Sequence, residues 1–135
     1  MYVANANNST VTEYSVNPST GVLTTIGTIN TGSLPQAITE SANGKFVYVA
    51  NTGDNTVTEY SVDPTKGVLT LIGTINTGSL PIAITESANG NFVYVTNYGD
   101  NTVTEYSVNP TTGVLSYIIY GAKFFSALTD RKSVV

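Results

Sequence analysis

The sequence predicts an all-β chain of the β-propeller type, with about three four-stranded antiparallel blades that do not close into a ring. Two observations predict this fold class. The chain copies itself every 46 residues, so that Tyr94-Val95-Thr96-Asn97 occupies the same place in its unit as Tyr48-Val49-Ala50-Asn51. Each unit also holds four short strand patterns separated by turn residues, with no helical periodicity. A right-handed β-helix is the alternative, although its coils are usually shorter.

The four strands can be followed through the central unit and into the next one. Each is a short run of β-branched and aromatic residues or an alternation of apolar and polar residues. We predict strands over residues 46–50, 56–62, 68–75 and 82–86. Turn chemistry separates them, because residues 51–55 are rich in Asn, Gly and Asp, and a Pro and a Gly lie within residues 63–67.

The repeat divides the chain into four segments. These are a partial blade 1 over residues 1–34, blade 2 over 35–80, blade 3 over 81–120, and an aberrant or capping tail over 121–135. Met1 occupies the mid-strand position of Val47, so blade 1 lacks its inner strand. We therefore expect a truncated or frameshifted fragment of a longer propeller, with an evolved C-terminal cap as the alternative for the tail.

Composition excludes several function classes. Charged residues are 10% of the chain, and the five Lys and Arg residues are not clustered, so we expect no nucleic-acid partner. No apolar run approaches the roughly 18 residues of a membrane-spanning helix, so we expect a soluble chain without membrane contact. The chain has no His, no Cys and the single arginine Arg131. We accordingly predict no cofactor, no metal site and no catalytic residue.

The repeat resembles the YVTN repeat of the lactonase-like β-propellers, which include 6-phosphogluconolactonase-like proteins. Residues 94–97 spell the motif, and the other parts of the family's blade follow in order over residues 1 to about 118. They are Pro35, Asn43-Gly44-Lys45, Tyr48 to Asn51, Asn55-Thr56-Val57 and Gly67-Val68-Leu69. The resemblance implies about seven blades in a complete ring, often in exported or cell-surface bacterial proteins. It also implies a lactonase site of His, Arg and Glu from several blades, which this chain does not match.

Two Asn/Gly/Asp hairpins supply candidate ligand-binding residues. Asn51 and Asp54 lie in the first hairpin, and Asn97, Tyr98 and Asp100 lie in the second. We predict that both emerge with the blade-to-blade loops on one propeller face, which is the usual binding face. Such hairpins also require Asn, Gly and Asp for backbone reasons alone, and we favour this structural interpretation.

Acidic residues recur at equivalent positions of the repeat. Glu40 and Glu86 end two inner strands and are candidates to line a central channel as general bases or cation ligands, although a solvated strand end is the favoured interpretation. Glu13, Glu59 and Glu105 recur on one strand. For these we considered a ladder of metal ligands and favour the wetted face of an outer strand.

Three functions remain open from the sequence. The first is a binding or scaffold module without a catalytic site of its own, because near-identical repeats have not diversified their loops blade by blade. The second is a fragment of a lactone hydrolase. The third is a propeller built from several copies, since open blade ends leave apolar surface that self-association or a partner would cover. The small-molecule ligand is not predicted.

Overall fold

The structure is a computed structural model that describes residues 1–119. The predicted tail over residues 121–135, and the final residue of the predicted blade 3, lie outside the described residues. The strands are β1 (Tyr2–Asn5), β2 (Thr10–Val16), β3 (Leu23–Asn30), β4 (Pro35–Glu40), β5 (Phe46–Asn51), β6 (Thr56–Val62), β7 (Leu69–Asn76), β8 (Pro81–Glu86), β9 (Phe92–Asn97), β10 (Thr102–Val108) and β11 (Leu115–Tyr117). A short 3₁₀ turn over Ala6–Asn8 separates β1 from β2.

The strands form three antiparallel sheets in which chain neighbours pair. Blade 1 has the order β1-β2-β3, blade 2 has β4-β5-β6-β7, and blade 3 has β8-β9-β10-β11. The predicted all-β fold is therefore confirmed, and none of the three described sheets closes on itself. Among residues 1–119, no helix is long and apolar enough to cross a bilayer.

Local chemistry explains why the repeated turns form. In the hairpin between β6 and β7, the side-chain Oδ1 of Asp63 accepts hydrogen bonds from the backbone amides of Thr65 at 2.8 Å and Lys66 at 2.7 Å. These bonds lower the pKa of the exposed Asp63 carboxyl. Gly67 then closes the turn with a φ of 73°, which confirms the predicted positive φ at this glycine.

The hydrophobic core lies between the blades. One cluster joins blades 1 and 2, and contains Val11, Val47, Val49, Tyr60 and Leu69. The other joins blades 2 and 3, and contains Phe46, Tyr48, Val57, Val93, Val95, Tyr106 and Leu115. The inner strands β4 and β8 also lie against each other. Each blade thus depends on its neighbours for burial, as in other repeat architectures.

Candidate functional site

The two predicted hairpins hold the blade-to-blade connections in place. The carboxylate of Asp54 accepts the backbone amide of Ser33 at 2.6 Å, and Asp100 accepts the equivalent amide of Ser79 at 3.0 Å. Both serines belong to the loops that link one blade to the next. The structure therefore brings hairpins and connections together on one face, which we name the loop face, and gives each aspartate a structural partner there.

The hairpin asparagines are buried behind this face. Asn51 is 0% exposed, and its Nδ2 donates to the hydroxyls of Thr56 at 3.0 Å and Thr58 at 2.7 Å. Asn97 makes the equivalent pair of bonds. A Cβ added at Gly32 would lie 2.8 Å from Cγ of Asn51, so the connection passes directly over the amide. Both asparagines are therefore buried beneath the connections, and a ligand-binding role for Asn51 and Asn97 stays a prediction.

Tyr98 is an exposed residue among the predicted ligand residues. The residue is 56% exposed, whereas Thr52 at the same position of blade 2 is buried and donates its hydroxyl to the carbonyl of Pro81 at 2.6 Å. The exchange of threonine for tyrosine thus places an aromatic surface on the loop face. A ligand-binding role for Tyr98 stays a prediction.

A cleft of about 480 Å³ opens between the outer parts of blades 1 and 2. Its walls are Asn30, Thr31, Gly32, Asp54, Thr56, Thr58, Leu71 and Thr74. Asp54 is the predicted site residue that reaches it, whereas the threonines were missed. Thr56 and Thr58 belong to a Thr-x-Thr that recurs at the start of the third strand, which indicated a strand but not a cleft. Hydroxyls and one carboxylate make the cleft suitable for a polyhydroxylated ligand.

Blade 3 fills the equivalent space differently. Tyr117 stands where blade 2 has Leu71, and its hydroxyl donates to the carbonyl of Asn76 at 2.9 Å. The rings of Tyr117 and Tyr106 lie 5.5 Å apart between centroids. The two cleft positions therefore differ in shape although the blades that frame them are near copies.

Glu40 and Glu86 lie at the edge opposite the hairpins. In the pairing of β4 with β5, Pro35 is opposite Asn51 and Glu40 is opposite Val47, so the glutamate and the hairpin are at different ends of the blade. Glu40 is exposed. Glu86 accepts the backbone amide of Ala42 at 2.7 Å, which attaches blade 3 to a turn of blade 2. A channel-lining role stays a prediction for both.

The prediction that the third-strand glutamates face solvent is wrong for two of them. Glu13 and Glu59 are each 2% exposed, and they accept the backbone amides of Leu69 at 2.8 Å and Leu115 at 2.7 Å from the following blade. Burial raises the pKa of the Glu59 carboxyl, and the bond from Leu115 partly offsets this. The strand is the third of four, so its face packs against a neighbouring blade.

In the sequence, a glycine recurs at the position that pairs with each of these two glutamates. Glu13 pairs with Gly27 and Glu59 pairs with Gly73 across the third and fourth strands. A Cβ at either glycine would collide with the paired carboxylate. The recurrence of a glycine opposite each glutamate therefore indicated that the carboxylate folds over its neighbouring strand.

The carboxylates of the described residues serve mainly as acceptors for backbone amides. Residues 1–119 contain no group of three or more acidic, His or Cys side chains placed to hold a metal ion. Asp54, Asp100, Glu13, Glu59 and Glu86 each accept an amide hydrogen. In residues 1–119, these carboxylates therefore hold loops in place at the loop face and join one blade to the next.

Comparison with known proteins identifies the family. The profile of the family described as "Lactonase, 7-bladed beta-propeller" matches residues 1–123. No functionally curated protein matches the sequence. Among solved structures, a Bacteroides fragilis protein provisionally assigned as a 6-phosphogluconolactonase aligns with a TM-score of 0.81 and 27% identity, over 87% of this chain and 34% of that one.

Two further structures extend the comparison. A protein from Lactobacillus plantarum aligns with a TM-score of 0.82 and 29% identity, over 87% of this chain and 37% of its own. The periplasmic gluconolactonase of Pseudomonas aeruginosa has the same fold, with a TM-score of 0.80 and 23% identity, over 88% of this chain and 35% of its own. The chain thus spans about a third of the length of these propellers. It belongs to the lactonase family of seven-bladed β-propellers.

Proposed function

We propose that the chain is a three-blade segment of a lactone-hydrolysing propeller, and that the whole protein acts on a sugar-acid lactone of the gluconolactone class. The observation that carries this proposal is the match of the lactonase family profile to residues 1–123. The structural similarity to the Bacteroides fragilis protein gives further support. Together, the family match and this similarity favour a lactone hydrolase over the binding or scaffold module that the uniformity of the repeats first suggested.

Within such a hydrolase, the role of this segment is to build the ring and one part of the binding face. Lactone hydrolysis needs a base to activate water and a group to stabilise the oxyanion. The chain has no His, and its carboxylates Asp54, Glu59 and Glu86 already accept backbone amides. In this proposal, other blades of the ring supply the activating groups.

The cleft beside Asp54 is the part of this segment that contacts the substrate. Its accessible hydroxyls, from Thr56 and Thr74, lie on two neighbouring strands and can pair with the hydroxyls of a sugar acid, whereas the hydroxyl of Thr58 is buried and accepts from Asn51. Leu71 supplies an apolar wall that is 57% exposed. This combination of one apolar wall and several polar groups is typical of small-molecule sites.

A chimera tests the proposal. The three aligned blades of the Pseudomonas aeruginosa gluconolactonase would be replaced by residues 1–119, after the activity of that parent is measured by acid release from gluconolactone. We expect the folded chimera to hydrolyse the lactone and the isolated 135-residue chain to leave the spontaneous rate unchanged. A folded chimera without activity would contradict the proposal. Hydrolysis by the isolated chain would instead place a complete catalytic site within it.

A further inference from the structure

The dipeptide Asn-Gly occurs twice in the chain, as Asn43-Gly44 and Asn89-Gly90. Each pair lies in the turn that joins the inner strand of a blade to the next strand, between β4 and β5 and between β8 and β9. Both asparagines are exposed. Glycine has no Cβ beside its amide nitrogen, so this nitrogen reaches the side-chain amide carbon of the preceding asparagine without steric hindrance. The two turns therefore place a nucleophile and an electrophile in adjacent residues.

Asn43 is exposed although its blade has a neighbour on each side. Blade 2 lies between blades 1 and 3, and the amide of Ala42, in the same turn, donates to Glu86 of blade 3 at 2.7 Å. This contact uses the backbone beside Asn43 and leaves the asparagine exposed. The turn of blade 3 has the same sequence, Ser-Ala-Asn-Gly, so the same chemistry is available at Asn89.

Hydrogen bonds hold the reacting groups of both turns in place. In the first turn, the hydroxyl of Ser41 donates to Oδ1 of Asn43 at 2.7 Å, and the amide of Lys45 donates to the same oxygen at 2.9 Å. The amide of Gly44 donates to the carbonyl of Ser41 at 2.8 Å. These bonds fix the side-chain amide and engage the nitrogen that would attack it. The second turn repeats the three bonds, at 2.7, 3.0 and 2.9 Å, with the donors Ser87, Asn91 and Gly90.

We propose that Asn43 and Asn89 are sites of spontaneous deamidation, and that local opening of the turn sets its rate. When the turn opens, the backbone nitrogen of Gly44 or Gly90 bonds to Cγ of the preceding asparagine and loses its proton to solvent. The bond from Cγ to Nδ2 breaks, and Nδ2 takes up a proton and leaves as ammonia. Water then opens the cyclic imide at either carbonyl, which yields aspartate or isoaspartate. Each event replaces a neutral amide with a carboxylate and makes the net charge of −4 more negative by one.

The first measurement is peptide mapping by mass spectrometry of the folded 135-residue chain during incubation at mildly alkaline pH. Tryptic cleavage after lysine separates the two sites into peptides 1–45 and 67–123. Asn30 and Asn76 are matched controls within these peptides, because both are exposed but are followed by threonine. The two proposed sites should convert at least about tenfold faster than their controls, because threonine has a branched Cβ. Unfolding the chain in urea should speed both sites by about tenfold or more.

Exchange of one turn serine separates local opening from global unfolding. Ser41→Ala removes a donor to Asn43 and should speed deamidation there about three- to tenfold, while Asn89 in the same molecule keeps its wild-type rate. Ser87→Ala should give the reverse pattern.

Circular dichroism would verify the fold of both variants. If neither variant folds, the comparison of the folded wild-type chain with the urea-unfolded chain decides the test. Three results would each overturn the proposal. They are a folded wild-type chain in which neither site outpaces its control, equal rates in the folded and unfolded chain, and a folded Ser41→Ala variant with an unchanged rate at Asn43.

Discussion

Replacement of Glu59 tests whether a buried carboxylate holds blades 2 and 3 together. Glu59→Ala leaves the Leu115 amide, which donates to Oε1 at 2.7 Å, buried without an acceptor. An unsatisfied buried donor costs about 1–3 kcal/mol, and the space left by the shortened side chain adds about 1 kcal/mol. The free energy of unfolding should therefore fall by about 2–4 kcal/mol, a large fraction of the stability of a small domain.

Glu59→Gln separates the hydrogen bond from the charge. Glutamine keeps an oxygen for the Leu115 amide but removes the carboxylate, whose pKa burial raises above 4.5. The folded state then holds a proton that the unfolded state has lost, so wild-type stability falls as pH rises from 4.5 to the pKa of folded Glu59. The Gln variant lacks this loss. Its stability relative to wild type should rise by about 1.4 kcal/mol per pH unit within that interval.

Urea unfolding followed by circular dichroism from pH 4 to pH 7 measures both effects. Glu40→Gln is the control, because Glu40 is exposed at the other edge of the blade, and it should match wild type throughout. Two results would refute the reasoning. One is a loss below about 0.5 kcal/mol in Glu59→Ala, and the other is a constant difference between Glu59→Gln and wild type across the whole pH range.

Three further predictions follow from the same contacts. Gly73→Ala should lower the free energy of unfolding by about 1–3 kcal/mol, since its Cβ would collide with the Glu59 carboxylate, and urea titration with Gly44→Asn as the control measures this. Burial raises the pKa of Tyr60 to about 12, so absorbance at 295 nm should show its ionisation only well above pH 10. The contribution of neutral Tyr60 to the free energy of unfolding is present below pH 10 and should be lost as pH rises toward 12. A Tyr60 that titrates near 10 in the folded chain would contradict its buried bond to the Asn30 carbonyl. Asp54→Ala should speed amide hydrogen exchange at Ser33, whose amide the carboxylate accepts, whereas Tyr98→Thr should not; equal exchange in both variants would remove the structural role of Asp54.

The strands and turns could be predicted from the sequence because each depends on neighbouring residues, and the same residues recur in all three repeats. The positive φ of Gly67 and the pairing of Asp63 with its own turn require only neighbouring residues. The burial of Glu59 required knowledge of what covers a strand face. Alternation along residues 56–62 shows which side chains share a face, but it does not distinguish solvent from the amide of Leu115 in the next blade.

The candidate site was predictable to a smaller extent for a related reason. The hairpin residues Asn51 and Asp54 were found from turn chemistry, and the structure gives both of them backbone or threonine partners. The cleft depends on the angle between two blades, so its threonines come together only in three dimensions. No local pattern encodes the space that Leu71 leaves open and that Tyr117 occupies in the next blade.

In a chain of near-identical blades, positions that recur and positions that differ between blades have different roles. A side chain that recurs between blades, such as Glu59 or Tyr48, makes the same contact at both interfaces between the described blades and stabilises their packing. Under the proposed function, selectivity for one substrate needs different groups in different blades, so we expect it at positions where the repeat changes. Two such changes lie in blade 3, where Tyr98 on the loop face replaces a threonine and Tyr117 replaces Leu71, the cleft residue of blade 2. Exchanging Tyr98 for the threonine of blade 2 should therefore alter sugar-acid binding by the gluconolactonase chimera while leaving its unfolding free energy within about 1 kcal/mol, since exposed substitutions have small effects.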